Sequence, residues 1–269
     1  MLETDSRRPR SPSPAFRLRN VSKSYDGGLS YAVRDLSLEV GNGEFVALVG
    51  GSGSGKTTTL KMLNRLIEPD SGVVEVSGKN VRDLWPHELR RSIGYVFQGV
   101  GLFPRFTVAE NVAITPRLLG WSEERIRERV DELLDLVELQ HDIYGGRFPD
   151  ALSGGQCQRV GFARALAAKP QIILMDEPFG ALDALTRAGL AQAYLRLHEK
   201  FSLTTVMVTH DVNEALLLAN RLGVMCEGRL IALGSPQDLL REGKNNYVRD
   251  LLSTPRQQAA RIAERLGDG

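Results

Sequence analysis

The chain has 269 residues and 42% hydrophobic content, enough for one large α/β domain or two small ones with a real core. Its 34 Lys+Arg against 33 Asp+Glu leave a formal charge of +1, which excludes wholesale wrapping of nucleic acid or of an anionic membrane and confines any phosphate binding to local sites. No stretch approaches the roughly 20 apolar residues that cross a bilayer, and the N-terminal MLETDSRRPRSPSP has no apolar run behind its charges, so the chain is expected to be neither inserted nor exported by a signal of its own.

Residues 1–15, with Arg7, Arg8 and Arg10 among Pro9, Pro12 and Pro14, read as a disordered tail. From Phe16 to Val40, alternating stretches such as FRLRNV and LSLEV, broken at Asp26-Gly27-Gly28, predict antiparallel strands and turns. Glu44 to Val49 (EFVALV) reads as a buried strand, and Thr58 to Ile67 has helical spacing that stops at Glu68-Pro69. Ser122-Glu123-Glu124 opens a helix with Ile126, Val130, Leu133, Leu134 and Val137 on one face. Then come helix Gly155–Ala168, strand QIILM, helix Leu185–Phe201, strand TTVMVT, helix Val212–Ala219 and strand RLGVMC, an alternation that predicts a mostly parallel sheet covered on both faces. No internal repeat is visible, so one nucleotide site per chain is expected. Cys157 and Cys226 lack CxxC spacing and a nearby His; they read as free buried or half-buried thiols in a reducing compartment.

Three segments carry chemistry. Gly50-Gly51-Ser52-Gly53-Ser54-Gly55-Lys56-Thr57 fits G-x-x-x-x-G-K-[ST] between a predicted strand and a predicted helix. Its backbone amides would cradle a β-phosphate at a helix N-terminus, Lys56 would reach the β- and γ-phosphates, and the Thr57 hydroxyl would ligate Mg²⁺. Ile172 to Glu177 is an apolar strand ending in two carboxylates that alternation points in different directions. Asp176 is assigned to the metal and Glu177 to the attacking water as general base; read alone, the pair also fits the start of a turn closed by Pro178. Leu152-Ser153-Gly154-Gly155-Gln156 leads into a helix, and spacing alone favours a plain Ser cap before a Gly-rich turn over a second anion site.

Together, LSGGQ, the phosphate loop and MDEP resemble the ATP-binding cassette (ABC) family. The resemblance implies a P-loop NTPase fold with a mixed-sheet core, an antiparallel β subdomain and a helical signature subdomain. It implies a nucleotide-binding domain over residues 16–243, with residues 99–164 as the helical insertion, and a short tail over 244–269. ATP would be bound by Gly50 to Thr57, by the neighbouring Thr58 and by Tyr25, stacked on adenine, although Tyr25 also fits an ordinary strand tyrosine. Gln98, in YVFQGVGLFP, resembles the glutamine that touches Mg²⁺ and the attacking water and reports to the membrane subunit; Gly99 and Gly101 would let its loop move. Asp183 resembles the loop acid that crosses to a second copy, and His210 the histidine that contacts the γ-phosphate. Ser153, Gly154, Gly155 and Gln156 would bind the ATP of the other copy.

His87, His141 and His198 read as surface residues. Cys157 and Ala184 depart from the glutamine and proline common at those positions, and Cys157 raises the expectation of thiol reactivity at the dimer seam. LKMLNRLIEPDSG, HELRRSIGYVFQGVGLFPRFTVAENV and MDEPFGALDALTR are most similar to the ATPases of importers for glycine betaine, carnitine, choline and proline. The partners implied are a second copy, integral membrane permease subunits and a separate solute-binding protein, with no nucleic acid, at the cytoplasmic face of the inner membrane. Alternatives are a cassette for another small solute, a non-transport ABC ATPase in translation or DNA repair, and an idle nucleotide-dependent scaffold; the intact Glu177 and His210 speak against the last. The 21 residues after Val248 are too few for the paired CBS domains of some relatives. They leave room for one amphipathic helix, Gln257 to Leu266, and the expectation is an ATPase not gated by such a module.

Overall fold

The computed structural model describes residues 13–99, 101–242 and 245–267. Most of the expected tail, Val100 of the Gln98 loop, and the assumed junction at 243–244 lie outside these residues. Order begins before Phe16: Ala15 is buried and its carbonyl accepts from Ser77 N at 2.9 Å.

β1 (Phe16–Lys23) pairs antiparallel with β2 (Val33–Val40), as the alternation predicts. β3 (Phe45–Val49) is buried throughout and runs into the glycine loop and α1 (Lys56–Leu63). α1 is shorter than the sequence predicts. Arg65 takes a left-handed φ of 48°, Leu66 N donates back to Lys61 O at 2.9 Å, and the Arg65 guanidinium donates to the Leu84 carbonyl at 2.8 Å. This closing pattern usually uses glycine, so the sequence does not announce it; Leu66 and Ile67 continue the apolar spacing beyond the helix. β4 (Ser71–Val76) and β5 (Lys79–Asn80) complete an antiparallel sheet of order β2-β1-β4-β5.

α2 (Pro86–Ser92) and β6 (Ile93–Val96) follow, and then the helical segment α3 (Val108–Leu118), α4 (Glu123–Leu136) and α5 (His141–Tyr144). The five apolar residues predicted on the α4 face are all buried. α6 (Gly154–Leu166) returns the chain to β7 (Ile172–Asp176), α7 (Ala184–Phe201), β8 (Thr204–Val208), α8 (Val212–Leu218), β9 (Arg221–Cys226), β10 (Arg229–Gly234) and α9 (Pro236–Glu242). The second sheet has order β10-β9-β3-β8-β7-β6, parallel except for β10.

Strand alternation divides the core. Phe45, Ala47 and Val49 of β3, with Ile173, Met175, Met207, Leu222 and Val224, face the cluster that also holds α3, α4 and α6. Val46, Leu48, Leu174, Val206, Val208 and Met225 face the cluster shared with α1 and the antiparallel sheet. Large apolar side chains thus cover both faces of the parallel strands, the arrangement such strands require.

α10 (Asn246–Leu266) starts well before the predicted Gln257, because Val248 and Leu252 are buried in the main core beside α8 and α9. Tertiary burial extends a helix whose N-terminal half has no strong sequence signature.

Burial decides two sequence expectations. His198 is no surface residue: only 6% exposed, its Nδ1 lies 3.0 Å from the Thr205 hydroxyl and its ring packs beside Phe45. Cys157 is a free thiol buried on α6, as the reading of the cysteines expects, with Sγ 3.4 Å from the Pro149 carbonyl; burial pushes the thiol up, which speaks against the reactivity at the dimer seam that its position raised.

Both placements are measurable. Burial holds the His198 imidazole below its ordinary 6.5, so the unfolded chain binds this proton more tightly, and the contribution to stability is complete above 6.5 and lost as pH falls through the folded value. Chemical denaturation followed from about pH 8 to about pH 5 is expected to show a loss of stability on acidification that His198→Gln reduces; equal pH slopes in the two proteins would contradict the buried neutral imidazole. With iodoacetamide, the half-buried Cys226 is expected to label first in the native protein and Cys157 only on unfolding, as followed by peptide mass spectrometry. Comparable native rates would show that Cys157 is accessible.

Candidate functional site

The site forms where the parallel strands end together. Leu48 and Asp176 both pair with Val208, so the chain segments that follow β3, β7 and β8 leave the sheet side by side. Thr209 N donates to Leu48 O at 3.2 Å and Glu177 N to Val208 O at 2.9 Å, which carries the register one residue past the strands.

The loop after β3 is built rather than floppy. Gly50 has φ 151° and Gly55 φ 97°, and a Cβ on either would collide with a backbone carbonyl, Met225 O for Gly50 and Ala32 O for Gly55. Lys56 Nζ turns into the loop and donates to Gly50 O at 2.8 Å and Gly51 O at 2.9 Å, with Ser54 Oγ at 3.3 Å. Burial lowers its pKa, while Glu177 and Asp176 act in the opposite direction. Gly51 N donates to the Tyr247 hydroxyl of α10 at 3.2 Å, a link that spans almost the whole chain and that no local pattern foretells.

Of the two acids, Asp176 closes β7 and Glu177 lies one residue past it, so the left-handed backbone of Glu177 rather than strand alternation sets its direction. Asp176 is buried, and its Oδ1 accepts from Thr57 Oγ1 at 2.9 Å. Desolvation raises its pKa, opposed by the Thr57 hydrogen bond and by Lys61 and Lys56. Glu177 takes a left-handed φ of 46°, a conformation rare outside glycine and one that recurs at functional sites. Its Oε2 accepts from Gln98 Nε2 at 3.1 Å, and its Oε1 lies 3.3 Å from His210 Nδ1. Segments far apart in sequence thereby meet on one carboxylate.

The Thr57 hydroxyl and the Asp176 carboxylate form an oxygen pair suited to a hard divalent cation. Such donor sets leave most coordination positions to water and substrate phosphates, as Mg²⁺ prefers.

Tyr25 stands just beyond β1, 65% exposed, with its hydroxyl 3.4 Å from Thr58 Oγ1. It is an exposed ring beside α1, not a core tyrosine of a strand. Ser52 and Gly53 occupy the exposed turn of the loop.

Ser153 to Gln156 form a reciprocal cap on α6: Ser153 Oγ accepts from Gln156 N at 3.2 Å, and Gln156 Oε1 accepts from Ser153 N at 2.9 Å. Gly154 and Gly155 open the helix, where backbone amides have no intrahelical acceptor. Among the described residues, no hydrogen bond joins this segment to Lys56, Thr57 or Asp176. Asp183 caps α7, accepting from Thr186 N at 3.0 Å, and the Thr186 hydrogen bonds hold its carboxyl below the usual range.

Several residues around the site carried no recognised signal in the sequence. Buried Gln158 donates to Pro178 O at 2.9 Å, tying α6 to the peptide after Glu177. Arg164, also buried, donates to Gly101 O at 2.8 Å and packs on Phe97 and Phe103, which anchors the far end of the Gln98 loop. A polar residue at a buried helical position was the one available clue in each case, and it does not reveal a partner.

The sequence profile of the ABC transporter family matches residues 33–180. The chain is 47% identical over 239 residues to the Choline transport ATP-binding protein OpuBA of Bacillus subtilis (strain 168), covering 89% of this chain and 62% of that protein. It is 50% identical over 230 residues to the Glycine betaine uptake system ATP-binding protein YehX of Escherichia coli (strain K12), covering 86% of this chain and 74% of that one. It therefore spans less than two thirds of the length of OpuBA. Among solved structures, a dimeric post-hydrolysis state of the ATP-binding cassette MJ0796 bound to ADP and Pi superposes with a TM-score of 0.77 at 38% identity, over 82% of this chain and 98% of that one. On the profile, the sequence identity and the shared fold, this chain belongs to the ABC transporter family.

Proposed function

We propose that the chain is the ATP-hydrolysing subunit of an importer for small osmoprotectants of the glycine betaine, choline, carnitine and proline class. The observation that carries the enzymatic part is the meeting of Gln98 and His210 on the two oxygens of Glu177, one residue beyond the Asp176–Thr57 pair. A carboxylate held from both sides at the end of a strand, beside a phosphate loop, is what activation of an in-line water requires.

In this reading Gly50 to Thr58 bind the polyphosphate and Lys56 meets the β- and γ-phosphates, whose charge would reverse the lowering of its pKa by burial. Tyr25 stacks on the adenine, a contact worth about 1–3 kcal/mol in other nucleotide sites. Thr57, Asp176 and Gln98 would hold Mg²⁺, which when bound neutralises charge on the transferred phosphoryl group. Glu177 takes the proton of the attacking water, and His210, with Nδ1 turned to Glu177, has Nε2 left for the γ-phosphate.

Ser153, Gly154, Gly155 and Gln156 would complete the site of a second copy, and Asp183 would lie at the seam. The absence, among the described residues, of hydrogen bonds from this segment to Lys56, Thr57 or Asp176 and the dimeric state of the MJ0796 cassette support this. A cleft lined by Arg90, Arg91, Phe97, Phe103 and Leu118 opens beside the Gln98 loop; its exposed aromatic rings suit it to receive a membrane permease subunit, which would hold the ATPase peripherally at the cytoplasmic face of the membrane. The domain limits proposed are 16–243 for the cassette, with 99–164 as the helical insertion. The solute class rests on the names of OpuBA and YehX; recognition of the solute belongs to a separate binding protein.

Glu177→Gln is expected to keep ATP and Mg²⁺ binding while hydrolysis falls on the order of 10²–10⁴-fold, because only the proton acceptor is lost. Turnover near that of the unaltered protein would remove Glu177 from the role of base. Lys56→Ala is expected to weaken binding and hydrolysis together, measured by nucleotide titration and steady-state ATPase. Mixing Lys56→Ala with Ser153→Ala subunits is expected to restore one complete site per mixed dimer; no recovery with mixed dimers demonstrated would count against shared sites. In vesicles holding the permease and binding protein, glycine betaine or choline is expected to stimulate ATP hydrolysis, and stimulation by an unrelated solute alone would overturn the solute class.

A further inference from the structure

Arg187 stands in the first turn of α7, and its side chain turns back toward the loop it has just left. One terminal nitrogen donates to the Leu182 carbonyl at 3.1 Å, immediately before Asp183. The other lies 3.6 Å from a carboxylate oxygen of Asp211, and Nε lies 3.8 Å from Glu214. These separations attract but exceed hydrogen-bond length. The buried Nε has no hydrogen-bond partner among the described residues.

Both carboxylates belong to the segment that carries His210. Asp211 accepts from Asn213 N at 2.8 Å, and its own N–H donates to Thr209 Oγ1 at 3.0 Å. Thr209 Oγ1 in turn donates to Glu214 Oε2 at 2.9 Å. Thr209, Asp211 and Glu214 therefore form one bonded bracket around His210. Arg187, the bracket, His210 and Glu177 line a single small cleft. Burial holds the Glu214 carboxyl above its usual range, opposed by the Thr209 hydrogen bond and then by the charges of Arg187 and His210.

We infer that Arg187 is a positioning residue that couples the loop ending at Asp183 to the His210–Glu177 pair. The inference rests on the ATPase reading above. The guanidinium is a rigid planar fork, fixed at one end to the loop carbonyl and left short of full contact with two carboxylates at the other. Pressure of a second copy on the Asp183 loop moves the Leu182 carbonyl, and the guanidinium with it. Closure of Arg187 onto Asp211 and Glu214 then fixes the bracket and holds His210 at Glu177. An open dimer leaves the histidine loosely set, and hydrolysis is thereby tied to pairing of the subunits.

The test uses the full chain with Arg187→Met, which keeps the aliphatic stem, and Arg187→Lys, which restores a cation. Steady-state ATPase is expected to show kcat reduced about tenfold in Arg187→Met with KM for ATP unchanged within about twofold, and partial recovery in Arg187→Lys, whose single ammonium meets the carboxylates without the full fork. In parallel, the carbon-13 resonance of the His210 imidazole is expected to move in Arg187→Met and to return toward its original position in Arg187→Lys. Unchanged kcat in Arg187→Met overturns the inference. So does a fall in kcat accompanied by a raised KM and a lowered melting temperature, which marks Arg187 as a support of the fold alone, and so does an unmoved His210 resonance. If the unaltered protein fails to hydrolyse ATP, the proposed function falls, and the His210 resonance by itself then decides the coupling.

Discussion

The parallel register of β3, β8, β7 and β6 is the constraint on which the candidate site depends. Leu48 and Asp176 share Val208 as a partner, and Val96 pairs with Met175, so four chain segments far apart in sequence end at one edge. In an open α/β sheet this carboxyl edge is where loops gather and ligands bind. A shift of one residue in β7 would turn Asp176 away from Thr57 and reverse which side chains of the strand face each core. The apolar alternation that divides the two hydrophobic clusters is therefore also what aims Asp176, while Glu177, one residue past the strand, is aimed by its left-handed backbone.

That edge holds buried charge. Lys56 and Asp176 are both buried, and burial disfavours the charged form of each. Their partial compensation comes from loop carbonyls, the Thr57 hydroxyl and one another's fields. Groups held this way are poorly matched without a ligand and well matched by a polyphosphate with a divalent cation, which supplies the missing charge of each sign. The left-handed backbone at Glu177 belongs to the same logic: a strained residue persists there because the Val208 carbonyl, Gln98 and His210 hold it from three directions.

The helical segment is joined to this edge by few but specific contacts. α6 begins with the Ser153 cap and ends in the main core, and on the way Gln158 grips the Pro178 carbonyl and Arg164 the Gly101 carbonyl. Any displacement of α6 is thus felt at the peptide after Glu177 and at the loop after Gln98. Cys157 lies within this packing, where its thiol serves as a small buried group. On the other side of the site, the Tyr247 hydroxyl on Gly51 N ties α10 to the phosphate loop, so three separate elements constrain one small volume.

How much of this was legible beforehand follows from the range of the forces involved. The glycine loop, the acid pair ending β7, the capped α4 and the alternation of strands and helices depend on local pattern, and each stood in the sequence by residue number. The same holds for Gln98 and His210, but only through resemblance; nothing in their own neighbourhoods joins them to Glu177. The early end of α1 at Arg65, the burial of His198 against Thr205 and Phe45, the burial of Cys157 against Pro149 and the extension of α10 to Asn246 were decided by contacts between separate elements, which no pattern within one helix or strand reports. The Arg187 bracket is of the same kind. Spacing and periodicity report which residues can share a face, because they express the geometry of one helix or strand. Which face meets which, and which polar group finds its partner across the gap, is set by the packing of elements against each other, and that only the tertiary structure decided.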